Sequence, residues 1–333
     1  MEIADLDEQL AKKNLQGFWA MERSFGGGLK PKPFLWKWED IQEALDLASE
    51  HVPMDKTGRR AIVLRNPTVE QGITDTLNVS IQLVKPGEIA KAHRHVASAI
   101  RFIIQGAPQA CTIVEGERFP MEEGDLVTTP NWTWHDHHNG SDKPAIWLDG
   151  LDARLVRFLH VGFSEPYNHE RQVVEKPDGR MDKLLGYARP SWMKSDTLTP
   201  PFRYRWTDVF PTLSALKESE GDPFDGVRLQ YIDPTNGGPT LLTFSCEIQL
   251  LRPHEKLRPH RHTSSVVYQA FRGRGLTRVE EETLSWERKD VFTIPPWNWH
   301  SHENPSDEDA ILFSITDWPA LKALGFYREE ARS

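Results

Sequence analysis

Apolar runs of strand length, separated by turn residues, recur through the middle of the chain. The series begins at 78–84 (NVSIQLV), and later runs include AIRFIIQG, ACTIVEG, DLVTTP and AIWLDG. Short apolar runs bounded by Gly, Pro and Asn are typical of β-strands. Helical patterns are brief and predict short helices at 4–13, 41–50 and 318–330. The pattern therefore predicts a fold dominated by β-structure.

The strand pattern of the first half returns in the second half. Residues 81–95 (IQLVKPGEIAKAHRH) align with 248–262 (IQLLRPHEKLRPHRH). Further along, 130–139 (PNWTWHDHHN) aligns with 295–304 (PPWNWHSHEN). An internal repeat of this kind indicates two copies of one domain.

The repeat and the strand pattern together predict an all-β dominated chain with two antiparallel jelly-roll barrels and a few short helices. We place an N-terminal segment and the first barrel at 1–165. A connection follows at 166–240, and the second barrel with a C-terminal helix occupies 241–333.

Composition restricts the classes of partner. The net charge of -9 over 333 residues argues against a nucleic-acid surface. The N-terminus MEIADLDEQLAKKN has no apolar signal core, and no run reaches membrane-spanning length, so no membrane partner is expected. Cys111 and Cys246 form no metal motif, and we interpret them as reduced thiols of a cytoplasmic protein.

Histidines cluster in the four repeated motifs. In the first copy His93 and His95 are two positions apart, so both side chains point to the same face of a strand. An intervening hairpin brings back His135 as a third nitrogen ligand. Three protein ligands leave positions open on a metal, as in catalytic rather than structural sites. The alternative is that these are ordinary strand and turn histidines, which the ordered set disfavours.

The motifs around these histidines resemble those of cupins, and the duplication resembles a bicupin. The usual cupin also has a Glu ligand shortly after HxH, where this chain has Ala97, Ser98 and Ala99. The set HRH, SAIRF, PNWTWHDH and WLDGLD is more similar to the gentisate 1,2-dioxygenase family, which includes salicylate and 1-hydroxy-2-naphthoate dioxygenases. This resemblance implies one non-haem Fe(II) on the three histidines, and a homotetramer.

The same resemblance implies that O2 opens the ring of a small aromatic hydroxy acid between its carboxyl- and hydroxyl-bearing carbons. Gentisate is one expected substrate. However, Asn78 and Ser80 stand where the family commonly has an aromatic residue and a glycine in the substrate pocket. This smaller, polar wall favours a differently substituted ring, so a 5-substituted salicylate such as 5-nitrosalicylate is the alternative.

Arginines are the expected carboxylate-binding groups. Arg101 lies six residues after His95, which places it on the ligand face of a strand. A buried arginine beside a metal requires an anionic partner, and a substrate carboxylate fits its planar fork. A structural ion pair is the alternative. The resemblance adds a second substrate-contacting arginine, Arg59 or its neighbour Arg60. It also adds Gln82 as a pocket residue, unless that side chain makes only a strand-edge hydrogen bond.

Two further polar residues follow the third ligand. His137, two positions after His135, is expected to orient or transfer a proton to the substrate hydroxyl or to oxygen. Its alternative role is structural. Asp149 in WLDGLD is expected to orient His137 or an arginine, or else to form a turn.

The second barrel repeats the three-nitrogen pattern as His260, His262 and His300. Whether these residues bind a metal stays open at the sequence level. Tyr268 stands in the place of Arg101, so we expect no carboxylate clamp there and ring cleavage in the first barrel alone. Two other classes of function remain open from sequence: a metal-dependent bicupin isomerase or lyase, and a non-enzymatic ligand-binding bicupin.

Overall fold

The computed structural model describes residues 2–21, 31–185, 192, 199–219 and 221–332. The chain divides into two compact units, Met1–Pro31 and Lys32–Ser333. The small unit contains helices α1 (Ile3–Ala11) and α2 (Phe18–Met21). Within it, the indole N–H of Trp19 donates a hydrogen bond of 3.0 Å to Asp7.

The large unit consists mainly of strands with short helices between them. Its helices are α3 (Trp38–His51), α4 (Met54–Thr57), α5 (Ala153–Phe158), α6 (Arg180–Leu184), α7 (Trp206–Ala215) and α8 (Trp318–Ala323). Its strands in the first half are β1 (Phe34–Trp36), β2 (Ala61–Val63), β3 (Asn78–Val84), β4 (Ile89–His95), β5 (Ala99–Gln105), β6 (Ala107–Val114), β7 (Glu117–Met121), β8 (Leu126–Thr129), β9 (His135–Asn139), β10 (Ala145–Leu151) and β11 (Ser164–Pro166). The later strands are β12 (Arg203–Tyr204), β13 (Val227–Gln230), β14 (Ser245–Leu251), β15 (His260–His262), β16 (Val266–Arg272), β17 (Arg274–Val279), β18 (Glu282–Glu287), β19 (Val291–Ile294), β20 (His300–Glu303), β21 (Ala310–Thr316) and β22 (Glu329–Ala331).

These strands form four antiparallel sheets, two for each copy of the repeat. The first jelly roll has sheets of order β12-β8-β5-β10-β3-β2 and β11-β4-β9-β6-β7. The second jelly roll has sheets of order β1-β19-β16-β21-β14-β13 and β18-β17-β20-β15-β22. The predicted duplicated, antiparallel β-fold is confirmed, but each copy is a sandwich of two sheets rather than a closed barrel.

The two copies exchange their leading strands. β1 precedes the first jelly roll in sequence but pairs with β19 of the second, and β12 precedes the second jelly roll but pairs with β8 of the first. A helix follows each exchanged strand, with its N-terminus held by an aspartate of the receiving jelly roll. Asp290 accepts from the backbone N–H of Trp38, and Asp125 accepts from that of Trp206. The predicted connection at 166–240 therefore contains strands of both jelly rolls, namely β12 of the first and β13 of the second.

The six-stranded sheets of the two copies share one hydrophobic core. Phe102 on β5 stacks on Phe313 on β21 with ring centroids 3.9 Å apart. A Cβ atom at Gly150 would overlap the terminal methyl of Ile315, so a larger residue there requires that side chain to shift. Because the opposite face of the first copy's sheet is also covered, β3, β5 and β10 are buried on both faces. Polar side chains on these strands are consequently shielded from water, and each needs a hydrogen-bonding or charged partner.

The helix predictions were only partly correct. α1 and α3 confirm the first two, and α3 buries Ile41, Leu45 and Ala48 on one face at helical spacing. The predicted C-terminal helix is wrong beyond Ala323, because the chain turns at Gly325, with φ +75°, and β22 pairs with β15 instead. Among the helices of the described residues, none is long and apolar enough to cross a membrane.

A reciprocal pair of aspartates joins the two copies. Asp152 accepts hydrogen bonds from the backbone N–H of Ser98 (2.8 Å) and from the hydroxyl of Thr243 (2.6 Å) in the other copy. Asp317 accepts equivalent bonds from Ser265 (2.8 Å) and Thr76 (2.5 Å). Burial raises the pKa of both carboxyl groups to about 6. The pair therefore titrates across a pH range in which an exposed aspartate is already ionised.

We expect Asp152→Asn and Asp317→Asn to change the pH dependence of stability. A folded-state pKa above the unfolded value of 3.8 means that the folded protein binds more protons. The contribution of these groups to the free energy of unfolding is therefore largest below about pH 4. It falls as pH rises through 6, by on the order of 2–3 kcal/mol per carboxyl. Thermal unfolding from pH 4.5 to 7.5 should show that the Asn variants gain relative to wild type as pH rises.

The exposed Asp142, changed to Asn, provides the control for the loss of a surface carboxyl group. A constant offset from wild type in the two buried variants would show that the aspartates do not titrate in this range.

Candidate active site

Three histidines meet inside the first jelly roll. His93 and His95 lie on β4, and His135 begins the adjacent β9, directly across from His93. The ring centroid of His135 is 4.3 Å from that of His93 and 4.8 Å from that of His95. One nitrogen from each ring lies within 4.8 Å of the other two, so the set has the spacing of a metal site. The structure thus brings together the three histidines that the sequence predicts as ligands.

Backbone carbonyl groups fix the orientation of all three rings. The Nδ1 atom of His93 lies 2.9 Å from the carbonyl oxygen of Lys91, and Nδ1 of His95 lies 2.7 Å from that of Ala97. Nδ1 of His135 lies 3.0 Å from the carbonyl oxygen of Thr133. A carbonyl can only accept, so each Nδ1 carries the proton and each Nε2 presents a lone pair.

The Nε2 atom of His135 is buried and has no hydrogen-bond partner within the described part of the chain. Burial also lowers the pKa of His93 to about 3 and that of His95 to about 4, so the imidazoles are neutral. Neutral, partly or fully buried imidazole nitrogens that converge in this way suit a divalent transition-metal ion. The donor set therefore fits the predicted metal.

Cation–π contacts hold the two ligand-bearing strands together. The guanidinium of Arg94, between the two β4 histidines, lies 4.2 Å from the ring centroid of Trp132 and 4.4 Å from that of Trp134. Trp132 has the left-handed φ of 61° and donates its backbone N–H to the carbonyl of His95 (2.9 Å). The HRH and WxWH motifs therefore contact each other, and these contacts fix the positions of the histidines.

Arg101 is fully buried on β5 and faces this site. Its Nε lies 3.4 Å from the carboxylate of Asp149, which is directly across from it on β10, and its Nη1 donates to the hydroxyl of Thr129. Asp149 therefore lies in a strand rather than a turn, and it pairs with an arginine rather than with His137. Burial lowers the pKa of Arg101 to about 10, so it stays protonated at neutral pH.

The structure distinguishes the two neighbouring arginines near residue 60. Arg59 reaches the triad, where its Nη2 contacts Nε2 of His93. Arg60, itself buried, points away and forms an ion pair with the half-buried Glu88 (2.7 Å), while also donating to the carbonyl oxygen of Val52. Arg59 is therefore the arginine available to the pocket, and Arg60 has a structural role.

Polar residues of β3 line the same face as Arg101 and Asp149. Ser80 lies across from Asp149, and Gln82 lies across from Trp147, so Asn78, Ser80 and Gln82 share one face. Gln82 is completely buried, yet neither its amide oxygen nor its nitrogen has a partner among the described residues. A strand-edge hydrogen bond for Gln82 is thus not present, and an unsatisfied buried amide in a pocket points to a ligand.

His137 lies beyond the triad on β9. Its Nδ1 is 2.9 Å from the hydroxyl of Thr112, and its ring centroid is 5.1 Å from that of Trp147. Burial lowers its pKa well below the usual value, so the ring is neutral. Its Nε2 is buried and unpartnered in the portion of the chain that is described. His137 thus presents one free nitrogen to the interior of the site.

Sequence reasoning missed Thr112 and Thr129, which position His137 and Arg101. The repeat contained a signal for the first of them. Thr277 stands 25 residues before His302, as Thr112 stands 25 residues before His137, and it makes the same 2.9 Å contact. A threonine kept at the same spacing in both copies indicates a paired role.

The second jelly roll contains an equivalent triad of His260, His262 and His300. The absence of a carboxylate clamp in this copy stays a prediction, but a cationic residue does reach the cavity. Arg228 on β13 enters the same cavity, although Tyr268 does occupy the position of Arg101. The arginine comes from the edge strand β13, whereas Tyr268 lies on β16, the strand that corresponds to β5.

The fold and the two triads define a class of protein, the cupins with two such domains. Residues 80–150 and 247–316 match the cupin domain family. The chain is 39% identical to a gentisate 1,2-dioxygenase of Haloferax, over 98% of this chain and 95% of that protein. It is 40% identical to a 5-aminosalicylate 1,2-dioxygenase of Comamonas, over 98% of this chain and 89% of that protein.

Among solved structures, the salicylate 1,2-dioxygenase of Pseudoaminobacter salicylatoxidans with gentisate is similar, with a TM-score of 0.90 and 30% identity over 99% of this chain and 94% of that one. The chain belongs to the gentisate 1,2-dioxygenase family, and it is an aromatic ring-cleaving dioxygenase. This confirms the predicted family and class of reaction, and it favours neither an isomerase or lyase nor a non-enzymatic bicupin.

Proposed function

We propose that the first jelly roll uses Fe(II) and O2 to open gentisate or a related 5-substituted salicylate between its carboxyl- and hydroxyl-bearing carbons. His93, His95 and His135 would hold the metal. When bound, iron supplies a Lewis-acidic centre for the substrate oxygens and the redox chemistry that O2 requires. The observation that carries the proposal is an excess of positive charge beside three neutral imidazoles.

That excess comes from two arginines facing a single aspartate. Arg59 and Arg101 both lower the pKa of His93, and Asp149 is the carboxylate that partly offsets them. Buried charge that is not compensated by the protein requires a ligand of the opposite sign. A hydroxybenzoate carboxylate meets this requirement, and the guanidinium fork binds it with a defined orientation.

His137 and Gln82 would orient the rest of the ring. The neutral His137 presents Nε2, which can hold or release a proton at the substrate hydroxyl. The hydroxyl of Thr112 donates to the sulfur of Met121 (3.2 Å), so it can accept from Nδ1 of His137 and leave Nε2 free to accept a proton. The unpaired amide of Gln82 can donate to or accept from a ring substituent. These roles need no rearrangement of the strands.

Aerobic turnover by iron-loaded protein tests the proposal directly. Oxygen uptake and product spectra should be measured with gentisate, 5-aminosalicylate, 5-nitrosalicylate and salicylate. Consumption of one O2 per ring opened, dependent on added Fe(II), is the expected result. Turnover that proceeds equally well with Zn(II), or without O2, would contradict it.

Ser80 and Asn78 are expected to set the preference among these substrates. Their side chains share the face that carries Asp149 and Gln82, so changing their size alters the pocket wall. Ser80→Gly combined with Asn78→Trp should shift relative kcat/KM values toward the usual substrates of the family, by roughly 1–3 kcal/mol or about 5- to 150-fold.

The exposed Thr283 on β18 provides a control site, where Thr283→Ser should leave the preference unchanged. Identical ratios of kcat/KM across the panel in the double variant would show that Asn78 and Ser80 do not contact the ring.

Two further parts of the proposal concern the oligomeric state of the enzyme and its location in the cell. A homotetramer is the assembly that the family resemblance implies, and light scattering of the purified protein measures it. A cytoplasmic location is supported by Cys111 and Cys246, which are both free and buried.

A further inference from the structure

The three histidines of the second jelly roll have nearly the same spacing as the three histidines of the first. Ring centroids of His260 and His300 are 4.3 Å apart, those of His262 and His300 are 5.0 Å apart, and those of His260 and His262 are 5.7 Å apart. The corresponding distances in the first jelly roll are 4.3, 4.8 and 5.5 Å. A set of buried side chains with no function has no need to keep these spacings to within 0.2 Å.

Backbone carbonyl groups also orient these rings. Nδ1 of His262 lies 2.9 Å from the carbonyl oxygen of Ser264, and Nδ1 of His300 lies 3.0 Å from that of Asn298. Nε2 of His300 is buried and lacks a partner among the residues that the structure describes. Two of the three rings are thus held by carbonyl groups, and His260 and His262 line a cavity of about 200 Å³.

The charged groups around this cavity differ from those of the first site. Arg228 lies 3.0 Å from the carboxylate of Asp225 and 3.4 Å from that of Glu247, and Asp225 also lies 3.8 Å from Nε2 of His260. Glu329 and Lys322 line the cavity as well. The arginine is thus already held between two carboxylates of its own chain.

The strand register locates the residues responsible for this difference in charge. In the first copy, Ser80 on β3 lies across from Asp149 on β10. In the second copy, Glu247 on β14 lies across from Ser314 on β21, so the acid and the serine have changed places. The arginine has also moved, to β13 at the sheet edge. The second site thereby keeps an arginine–carboxylate pair but gains negative charge.

We propose that the second jelly roll binds its own divalent first-row transition-metal ion through His260, His262 and His300, with Asp225 and Glu247 supplying the counter-charge. At the first site an anionic substrate must supply that charge. At the second, two protein carboxylates offset Arg228 and one of the two charges of the metal, and the arginine is itself paired with them, so no unpaired guanidinium remains for an aromatic carboxylate. The second ion therefore stays bound through turnover and takes no substrate. This goes beyond the proposed function, which concerns the first site.

Metal stoichiometry of the full-length protein tests the proposal. Metal-free wild-type protein titrated with Co(II) or Fe(II) alone should take up two ions per chain. His260→Ala and His93→Ala should each take up one. Wild-type stoichiometry does not depend on the folding of any variant, and saturation of the wild-type protein at one ion per chain would overturn the proposal.

Gentisate binding separates the two sites. By calorimetry, wild-type protein loaded with Co(II) should bind one gentisate per chain. His93→Ala, which retains the second ion, should bind none, and its Co(II) absorption spectrum should not respond to gentisate. Gentisate binding at the Co(II)-loaded second site of His93→Ala would overturn the proposed charge balance. The stoichiometry of that site is independent of whether the first site cleaves rings, so failure of the proposed function would be distinguishable.

The role of the carboxylates has its own readout. Replacing Glu247 with Gln should weaken Co(II) retention at the second site by about 10- to 100-fold, measured as release to a chelator from His93→Ala protein. Replacing the exposed Glu282 with Gln in the same background is the matched control and should leave retention unchanged. Equal release from both variants would show that Glu247 does not contribute to binding.

Discussion

Replacing His135 with alanine is expected to abolish ring cleavage and to remove the iron of the first site. His135 is the least exposed member of the triad, and its Nε2 faces the other two rings. Two imidazoles are too few to hold a labile ferrous ion against dilution. Iron per chain should therefore fall by one, and oxygen uptake with gentisate should fall to background.

His254→Ala is the matched control, because His254 is exposed and outside both triads. It should keep wild-type iron content and activity. Activity retained in His135→Ala together with its full iron content would refute the assignment of the ligands. Far-UV circular dichroism of the variant would show whether the sheets remain intact.

Replacing Arg101 with alanine is expected to reduce kcat/KM strongly while iron stays bound. Arg101 does not contact a ligand atom directly, and its partners are Asp149 and Thr129. Truncating one partner of a buried charge pair costs roughly 2–5 kcal/mol, or about 30- to 5,000-fold in kcat/KM. The loss should appear with every substrate that carries a carboxylate.

Arg101→Lys should recover only part of the loss, because the ammonium keeps the charge but not the planar fork. The exposed Arg278 serves as the control, and Arg278→Ala should have wild-type kinetics. If Arg101→Ala retained wild-type kcat/KM, the substrate carboxylate would have to bind elsewhere, with Arg59 as the remaining cationic group beside the triad.

The candidate site was predictable from sequence where it depends on short-range periodicity. Positions two apart on one strand must share a face, so His93 and His95 were certain to point together. Arg101 followed by the same argument. The polar residues Ser80 and Gln82 were also detectable, because the surrounding run is apolar and such residues are costly on a doubly buried strand.

Long-range pairing was not predictable by these means. Arg59 and Arg60 are adjacent and of the same type, and only the position of Glu88 decides which of them leaves the pocket. Asp149 could have paired with His137 or with an arginine, and the register of β10 against β5 selects Arg101. These outcomes depend on residues far apart in sequence, whose contacts leave no local periodic signal.

The sequence alone determined the duplicated β-fold, the two histidine triads and the family, because each depends on local spacing or on repeated motifs. Only the tertiary structure decided that β1 and β12 are exchanged between the copies and that Arg228 enters the second cavity. The physical reason is that an edge strand is selected by the sheet edge available to it. That edge is formed by strands from distant parts of the chain, so its partner is settled only when the sheets assemble.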